Sequence, residues 1–181
     1  LNAADQAQIL GLSRKLKEQI QRHNLNFHMP TDDIEDFVLV GYHLDDDVLG
    51  PLYFGYGRED EIQGGLRTKY ARHLEQRILE TAPDSILVLL KASPEIISAR
   101  MNKAPHQNSP LKEQDIEHVL ERFEYEYEWS LLSNKITIDT SVRTTAETLE
   151  EFIRLYKPMM TASDRIRTLA RQTAQSTTGA A

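Results

Sequence analysis

The sequence comprises 181 residues, of which 40% are hydrophobic and 27% are charged; it has a formal net charge of -7 and contains no cysteine. These values fit one compact domain without a membrane span, and the acidic balance disfavours binding to a nucleic-acid polymer. The absence of cysteine excludes disulfides, a thiolate zinc site and a thiol nucleophile, and it fits a cytoplasmic protein. Because Leu1 stands where a full-length chain normally begins with methionine, we expect a fragment of a longer reading frame.

The first half of the chain predicts two helices, one strand and an irregular segment. Apolar residues at helical spacing predict an amphipathic helix over residues 5–24. The continuous β-branched run 37–42 is typical of a strand that is buried on both faces, as in a parallel sheet. Glycines and a proline interrupt residues 43–60, which we expect to be irregular. A second helix is predicted over 62–81 and ends before Pro83.

The middle of the chain predicts a strand, a helix, a polar loop and another helix. Residues 86–90 are continuously apolar and predict a second buried strand. A serine, a proline and a glutamate at 93–95 are typical of a helix start. Residues 102–112 are polar and contain two prolines, so we expect a mobile loop that is less ordered than the helices beside it. The apolar spacing over 116–131 predicts a long amphipathic helix.

The last part predicts a third strand, one more helix and a tail. The strand covers residues 135–139. Thr144 and Glu147 form a plausible capping box for a helix that continues to about residue 156. Small and polar residues dominate 161–181, which we expect to be a tail that is disordered at its end. Residues 1–160 therefore make up the predicted domain.

Strands that alternate with helices predict an α/β fold, a three-layer sandwich in which a mostly parallel sheet lies between helices. Ligands of such sheets bind outside the carboxyl ends of the strands. Asp45, Ser93 and Arg100 follow three of the predicted strands along the chain. We therefore expect these three residues to share one edge of the sheet.

The segment 82–101 reads APDSILVLLKASPEIISARM and resembles the strand-to-lid region of deoxynucleoside and thymidylate kinases. The resemblance continues through 37–45, 122–127 and 138–141, and it covers most of residues 1–157. It implies a P-loop kinase-like fold with residues 102–112 as the lid. It also implies phosphoryl transfer from ATP to a nucleoside or nucleotide, with Mg²⁺ bridging the donor phosphates.

The sequence lacks the Gly-x-x-x-x-Gly-Lys-Ser/Thr phosphate-binding motif, which is where it departs most from that family. The resemblance therefore implies that the N-terminal strand and the P-loop are missing, and that this chain by itself is an inactive fragment. In the related kinases the missing strand lies between the counterparts of strands 37–42 and 86–91. We expect these two strands to be separated by a gap.

The resemblance also assigns roles to individual residues. The catalytic group would consist of one acidic residue and four positive charges. Asp45 would be the metal ligand that organises Mg²⁺. The positive charges around the transferring phosphoryl group would be Arg100, Lys103, Lys112 and Arg122. The acceptor pocket would be formed by His43, Tyr53, Tyr56, Arg58 and Arg67. The region that contacts ATP would include Thr140 and Ser141.

Several alternatives remain open on the sequence alone. Asp45 fits a solvated acidic turn as well as a metal contact, Arg122 fits an ion pair with a nearby glutamate, and each tyrosine fits ordinary packing. The chain also fits a non-catalytic nucleotide-binding or regulatory protein on a kinase scaffold, or a P-loop transferase that acts on another small molecule. A homodimer is possible, and neither a membrane nor a nucleic-acid polymer is expected as a partner.

Overall fold

The computed structural model describes residues 2–31, 37–57, 66–105 and 109–178. The chain begins with helices α1 (Ala3–Gly11) and α2 (Arg14–Phe27) where the sequence predicted one helix over residues 5–24. The break arises because Ser13 has an extended backbone and its hydroxyl accepts a hydrogen bond from the N–H of Leu16 at 3.5 Å. This is the geometry of an N-cap, so α2 starts afresh.

Residues 37–42 do not form the predicted strand. The side chains of Val38 and Val40 are 89% and 92% exposed, and Gly41 has a φ of 65°, which bends the backbone out of the extended region. A strand is stabilised by its ladder of hydrogen bonds, and none of the described residues forms a ladder with this segment. The β-branched sequence alone therefore does not produce a strand.

Residues 43–57 are more regular than the sequence predicted. Helix α3 (His43–Leu49) is followed directly by a π-helical turn, Gly50–Phe54. Asp45 and Asp46 lie in the first turn of α3, where carboxylates interact favourably with the unpaired N–H groups and the helix dipole. The acidic run thus favours a helix start.

The rest of the chain follows the predicted order of elements. The elements are α4 (Leu66–Thr81), β1 (Ile86–Lys91), α5 (Pro94–Lys103), a 3-10 turn (Glu113–Asp115), α6 (Ile116–Trp129), β2 (Asn134–Asp139), α7 (Thr145–Tyr156), a second 3-10 turn (Lys157–Met159) and α8 (Ala162–Thr178). Helix α8 occupies most of the segment predicted to be a polar tail. The end of that tail, residues 179–181, lies outside the described residues.

Strands β1 and β2 form a two-stranded parallel sheet, in a register that runs from Ile86 opposite Asn134 to Lys91 opposite Asp139. The fold is mixed α/β and mostly helical, and the described residues do not include the wider sheet of a three-layer sandwich. The predicted gap was a space between two strands, 37–42 and β1. Since the segment 37–42 is not a strand, there is no such gap between strands.

The hydrophobic core joins α2, α4 and the turn after α6. Its buried cluster consists of Leu25, Met29, Leu74, Ile78 and Leu132, and partly buried Tyr42 and Leu87 pack against it. The core thereby brings the segment after residue 37 close to β1. Among the described residues, no helix has the length and apolar character needed to cross a membrane.

Candidate functional site

The carboxyl ends of the two strands carry a cluster that we call the strand-end group: Ser93, Arg100, Thr140 and Ser141. Helix α5 follows β1 and brings Arg100 back to the loop after β2, where its guanidinium donates to Thr140 Oγ1 at 2.9 Å and to the Thr140 carbonyl at 2.6 Å. The N–H of Ser93 donates to Ser141 Oγ at 3.0 Å. These contacts fix an exposed guanidinium at the edge of the sheet where α/β proteins bind ligands.

The neighbouring side chains add charge to the same edge. The Lys91 ammonium forms an ion pair with Glu124 at 2.6 Å, and this hydrogen bond raises the pKa of Lys91. Arg143 donates to the backbone carbonyl of Asp139. Hydrogen bonds from Ser141 lower the pKa of Asp139, so its carboxylate is ionised. The edge therefore holds several oriented cations close to ordered hydroxyl groups.

Asp45 lies in the first turn of α3 and its carboxylate folds back over Gly41. A Cβ atom at position 41 would lie 2.8 Å from Asp45 Oδ2, so only glycine leaves room for this carboxylate. Burial raises the pKa of Asp45, and the nearby His43 acts in the opposite direction. Among the described residues, no group of three or more His, Asp or Glu side chains could hold a metal ion. The metal role of Asp45 stays a prediction.

His43 does not line an open pocket, because it is buried beside Glu75. Its Nε2 lies 2.9 Å from Glu75 Oε1. The fully buried Glu75 carboxylate also accepts hydrogen bonds from Arg72, from the Ser130 hydroxyl and from the N–H of Leu131. Burial would raise the pKa of Glu75, but these donors outweigh it and lower the pKa to about 2.

Arg72 extends this arrangement to α6 and to Arg122. Its guanidinium bridges Glu75 to the fully buried Glu126, whose other carboxylate oxygen accepts from Arg122 at 2.8 Å. Burial and then the charge of Glu126 raise the pKa of Asp47 to about 7. We call these side chains the buried charge network: His43, Asp47, Arg72, Glu75, Arg122 and Glu126. Within it, His43 Nδ1 and Asp47 Oδ2 have no hydrogen-bond partner among the described residues.

Arg122 was predicted to be catalytic, with an ion pair to a nearby glutamate as the alternative. The structure contains that ion pair, to Glu126. The Arg122 guanidinium also lies over the Tyr125 ring, 5.2 Å from its centroid, which is within the range of a cation–π contact. Both contacts lie within α6, so Arg122 stabilises that helix and partly neutralises the buried Glu126 carboxylate.

The two tyrosines of the predicted acceptor pocket have different surroundings. Tyr56 is buried and donates to Asp46 Oδ1 at 3.0 Å; burial raises its pKa to about 12. Tyr53 is partly exposed; its hydroxyl donates to Asp115 Oδ2 at 2.9 Å and accepts from the N–H of Lys112 at 3.2 Å. Tyr53 and Lys112, which were assigned to different roles, are thus in direct contact.

The remaining predicted residues are more dispersed. Lys103 is exposed at the end of α5. Arg58 lies outside the described residues, as do 106–108 in the predicted lid, and Arg67 is described only as backbone in α4. No hydrogen bond or ion pair described here joins Asp45 to the strand-end group. The strand that was expected to carry Asp45 to that edge is not formed.

Sequence reasoning missed the carboxylates at the centre of the buried charge network. Glu75 is flanked on α4 by the buried residues Ala71, Leu74 and Ile78, and Glu126 adjoins the buried Tyr127 on α6. A charged residue inside the apolar stripe of an amphipathic helix was the available signal. It predicts a buried carboxylate with partners, because an unpaired one is too costly.

A groove of about 340 Å³ lies between the sheet and α6. Its lining contains no residue that was predicted to be functional and consists of Leu89, Lys91, Glu124, Tyr125, Tyr127, Glu128, Trp129 and Thr137. Comparisons of the chain with protein-family models, with curated proteins and with solved structures found no significant match. The function must therefore be argued from the site itself.

Proposed function

We propose that this chain is part of a phosphotransferase of the P-loop kinase class, which transfers a phosphoryl group from ATP to a nucleoside or nucleotide with the help of Mg²⁺. The observation that carries the proposal is the guanidinium of Arg100, held by Thr140 at the carboxyl ends of two parallel strands. Phosphoryl transfer requires fixed positive charge around the transferring group and little covalent chemistry from the protein.

The strand-end group suits this chemistry for two reasons. The guanidinium is planar and presents donors in a fork that matches phosphate oxygens, and Thr140 holds it in one orientation. Ser93 begins α5 immediately after β1, so the positive end of that helix dipole lies beside the same edge. Its first N–H groups are not free, because Pro94 has none and the N–H of Ser93 donates to Ser141. A phosphate bound there would meet a guanidinium that is already held in place.

Lys103, Lys112 and Asp45 take the subsidiary roles in this proposal. The lysines would supply charge from the lid. Asp45 would be the ligand of Mg²⁺ or of its bound water, but it belongs to no group of metal-binding side chains among the described residues, so further ligands would have to come from the phosphates and water. The β- and γ-phosphates of ATP need a nest of backbone N–H groups and a P-loop lysine. The motif that supplies both is absent from residues 1–181. We therefore expect transfer only from the product of the complete reading frame that contains this sequence.

The test is an assay of that complete product with radiolabelled ATP and a panel of nucleosides and nucleoside monophosphates. Arg100→Ala should lower kcat by on the order of 10²–10³, as expected for the loss of one positioned donor to the transition state. Arg154→Ala is the matched control, because Arg154 is an exposed arginine of α7 that pairs with Glu151. Its effect should be within about twofold of wild type, since its guanidinium pairs with Glu151 on the same helix.

Two results would contradict the proposal. One is a complete product that transfers no phosphoryl group to any member of the panel; if it still binds nucleotides, a non-catalytic binding protein becomes the better interpretation. The other is an active enzyme in which Arg100→Ala and Arg154→Ala have the same small effect, which would place the phosphate site elsewhere.

A further inference from the structure

We propose that Tyr53 is a positioning residue that holds Lys112 ready to bind the phosphate groups of the ligand. This inference rests on the proposed function and deepens it. The sequence had assigned the Tyr53 ring to the wall of an acceptor pocket, but its hydroxyl group is occupied by the chain itself. The contact joins two segments that are 59 residues apart, namely the turn after α3 and the C-terminal side of the predicted lid.

One side chain makes three contacts around Lys112. The Tyr53 hydroxyl accepts a hydrogen bond from the N–H of Lys112 at 3.2 Å and donates one to Asp115 Oδ2 at 2.9 Å. The Lys112 ammonium lies 5.9 Å from the centroid of the Tyr53 ring. The phenol therefore holds the backbone of Lys112, and the ammonium lies at the outer limit of a cation–π contact with the same ring.

The hydrogen bonds set the direction of the hydroxyl group. The Asp115 carboxylate oxygen accepts from the Tyr53 hydroxyl, so the Tyr53 proton points towards it and an oxygen lone pair is left for the N–H of Lys112. Partial burial raises the pKa of Tyr53, which keeps the hydroxyl protonated as this arrangement requires. Tyr53 itself is fixed within the π-helical turn Gly50–Phe54, directly after α3. The turn thus determines where Lys112 lies.

The ammonium of Lys112 remains available to a ligand. Lys112 is exposed, and its charge is attracted to the face of the ring without being neutralised by a carboxylate in that contact. A lysine side chain normally loses considerable rotamer freedom when it binds an anion. Prior attachment to Tyr53 removes part of this cost, so phosphate binding is stronger than with a free lysine.

Tyr56 provides a matched control on the same segment. It lies three residues after Tyr53, but it is buried and its hydroxyl donates to Asp46. Lys135, whose ammonium lies 5.4 Å from the centroid of the Tyr127 ring, provides an internal reference for a lysine over a different tyrosine. Tyr53 variants should leave the signal of Lys135 unchanged.

The experiment follows the lysine side-chain methylene signals of residues 1–181 by NMR while inorganic pyrophosphate is added. Lys112→Met assigns the signal of Lys112. In the wild type we expect this signal to be displaced upfield by the Tyr53 ring and to shift on addition of pyrophosphate. Tyr53→Phe keeps the ring and loses both hydrogen bonds, and should weaken pyrophosphate binding about threefold; Tyr53→Leu also loses the ring face and should weaken it about tenfold.

Each outcome decides between the two proposals. If Tyr53→Leu leaves the Lys112 response unchanged, or if Tyr56→Phe weakens it as much, Tyr53 has no positioning role. In another outcome the complete product transfers phosphate while the Lys112 signal fails to respond to pyrophosphate. That result overturns the role of Tyr53 and leaves the proposed function intact. The converse result, a Tyr53-dependent Lys112 response without any transfer by the complete product, supports anion binding and overturns the kinase proposal. Tyr53→Phe keeps the test valid if Tyr53→Leu fails to fold.

Discussion

Individual charged residues inside this protein are tolerated because each has specific partners. Glu75 is fully buried, yet donors from three parts of the chain surround its carboxylate, and Arg72 is shared between Glu75 and Glu126. Removing one member of such a buried pair typically costs about 3–5 kcal/mol, because it leaves the other charge without compensation. Asp47 differs from Glu75, since it has one hydrogen bond from Thr68 at 3.3 Å and one oxygen without a partner among the described residues.

The contrast between Asp47 and Glu75 predicts how stability depends on pH. The pKa of Glu75 is lowered to about 2 from an unfolded value of about 4.3. The contribution of Glu75 to the free energy of unfolding is therefore present above pH ~4 and is lost as the pH falls further. The pKa of Asp47 is raised to about 7 from an unfolded value of about 3.9. The folded protein therefore keeps Asp47 protonated at pH values where the unfolded chain releases this proton. The free energy of unfolding consequently decreases as the pH rises from about 4 to 7. We expect maximal stability at about pH 4–5.

The variant Asp47→Asn tests this assignment, because an amide keeps the shape of the side chain and cannot ionise. We expect it to remove the decline above pH ~4 and to stabilise the protein at pH 7 by on the order of 1–3 kcal/mol. Urea denaturation at several pH values measures the free energy of unfolding. A variant that declines between pH 4 and 7 as steeply as the wild type would show that another group carries the proton.

Helix α7 begins with a complete start signal. The Thr144 hydroxyl accepts from the N–H of Glu147 at 3.2 Å, and the Glu147 carboxylate accepts from the N–H of Thr144 at 2.7 Å. These reciprocal bonds are the capping box that the sequence predicted. They satisfy N–H groups that have no partner within the helix.

Thr144→Ala should therefore destabilise the protein by about 1 kcal/mol, the usual cost of losing an N-cap side chain. Thr145→Ala is the control, because Thr145 is exposed at the first position of the same helix and alanine favours helices. Its effect should be within about 0.5 kcal/mol of zero. Thermal unfolding followed by circular dichroism compares the two; equal effects would mean that the capping box contributes nothing to stability.

The elements that were predicted correctly are those whose signals are local. Helix α7 has its capping box, β1 has a continuous apolar run, and β2 alternates isoleucine with polar residues. The segment 37–42 has an equally strong run, but a strand also needs a neighbour, and sequence pattern does not supply one. The site was less predictable for the same reason: Arg100 meets Thr140 through the path of the chain, 40 residues apart.

Gly41, just before α3, has a backbone conformation that glycine adopts most easily. Gly41 combines a φ of 65° with a carboxylate oxygen 2.8 Å from the position of a Cβ atom. Gly41→Ala should cost about 1 kcal/mol or more, since alanine must both adopt a left-handed conformation and displace Asp45. Gly11→Ala is the control, because a Cβ atom at position 11 meets nothing within 4 Å and the residue ends α1 in open space. Similar stabilities of the two variants would contradict the steric role of Gly41.

The two-stranded sheet as a whole is covered unevenly. Val88 and Leu90 of β1 lie opposite Ile136 and Ile138 of β2 in the parallel register, so the four side chains share one face. Ile136 and Ile138 are buried, whereas Val88 and Leu90 are 37% and 59% exposed. Parallel sheets normally have both faces covered and continue beyond two strands. The face over β1 and its outer edge are therefore where the proposed P-loop strand and its helix would pack.

A charge at position 90 tests this arrangement in two contexts. In residues 1–181, Leu90→Lys replaces an exposed side chain and should change the free energy of unfolding by no more than about 0.5 kcal/mol. In the product of the complete reading frame the same residue should be buried against the added segment, and an unpaired ammonium there should cost about 3 kcal/mol or more. Leu149→Lys on α7 is the control, because Leu149 is 56% exposed and lies on a helix that follows β2 and not on β1; its effect should be small in both proteins. Urea denaturation provides the four comparisons. If Leu90→Lys is as well tolerated in the complete product as in residues 1–181, nothing covers β1, and the expectation of an additional central strand is wrong.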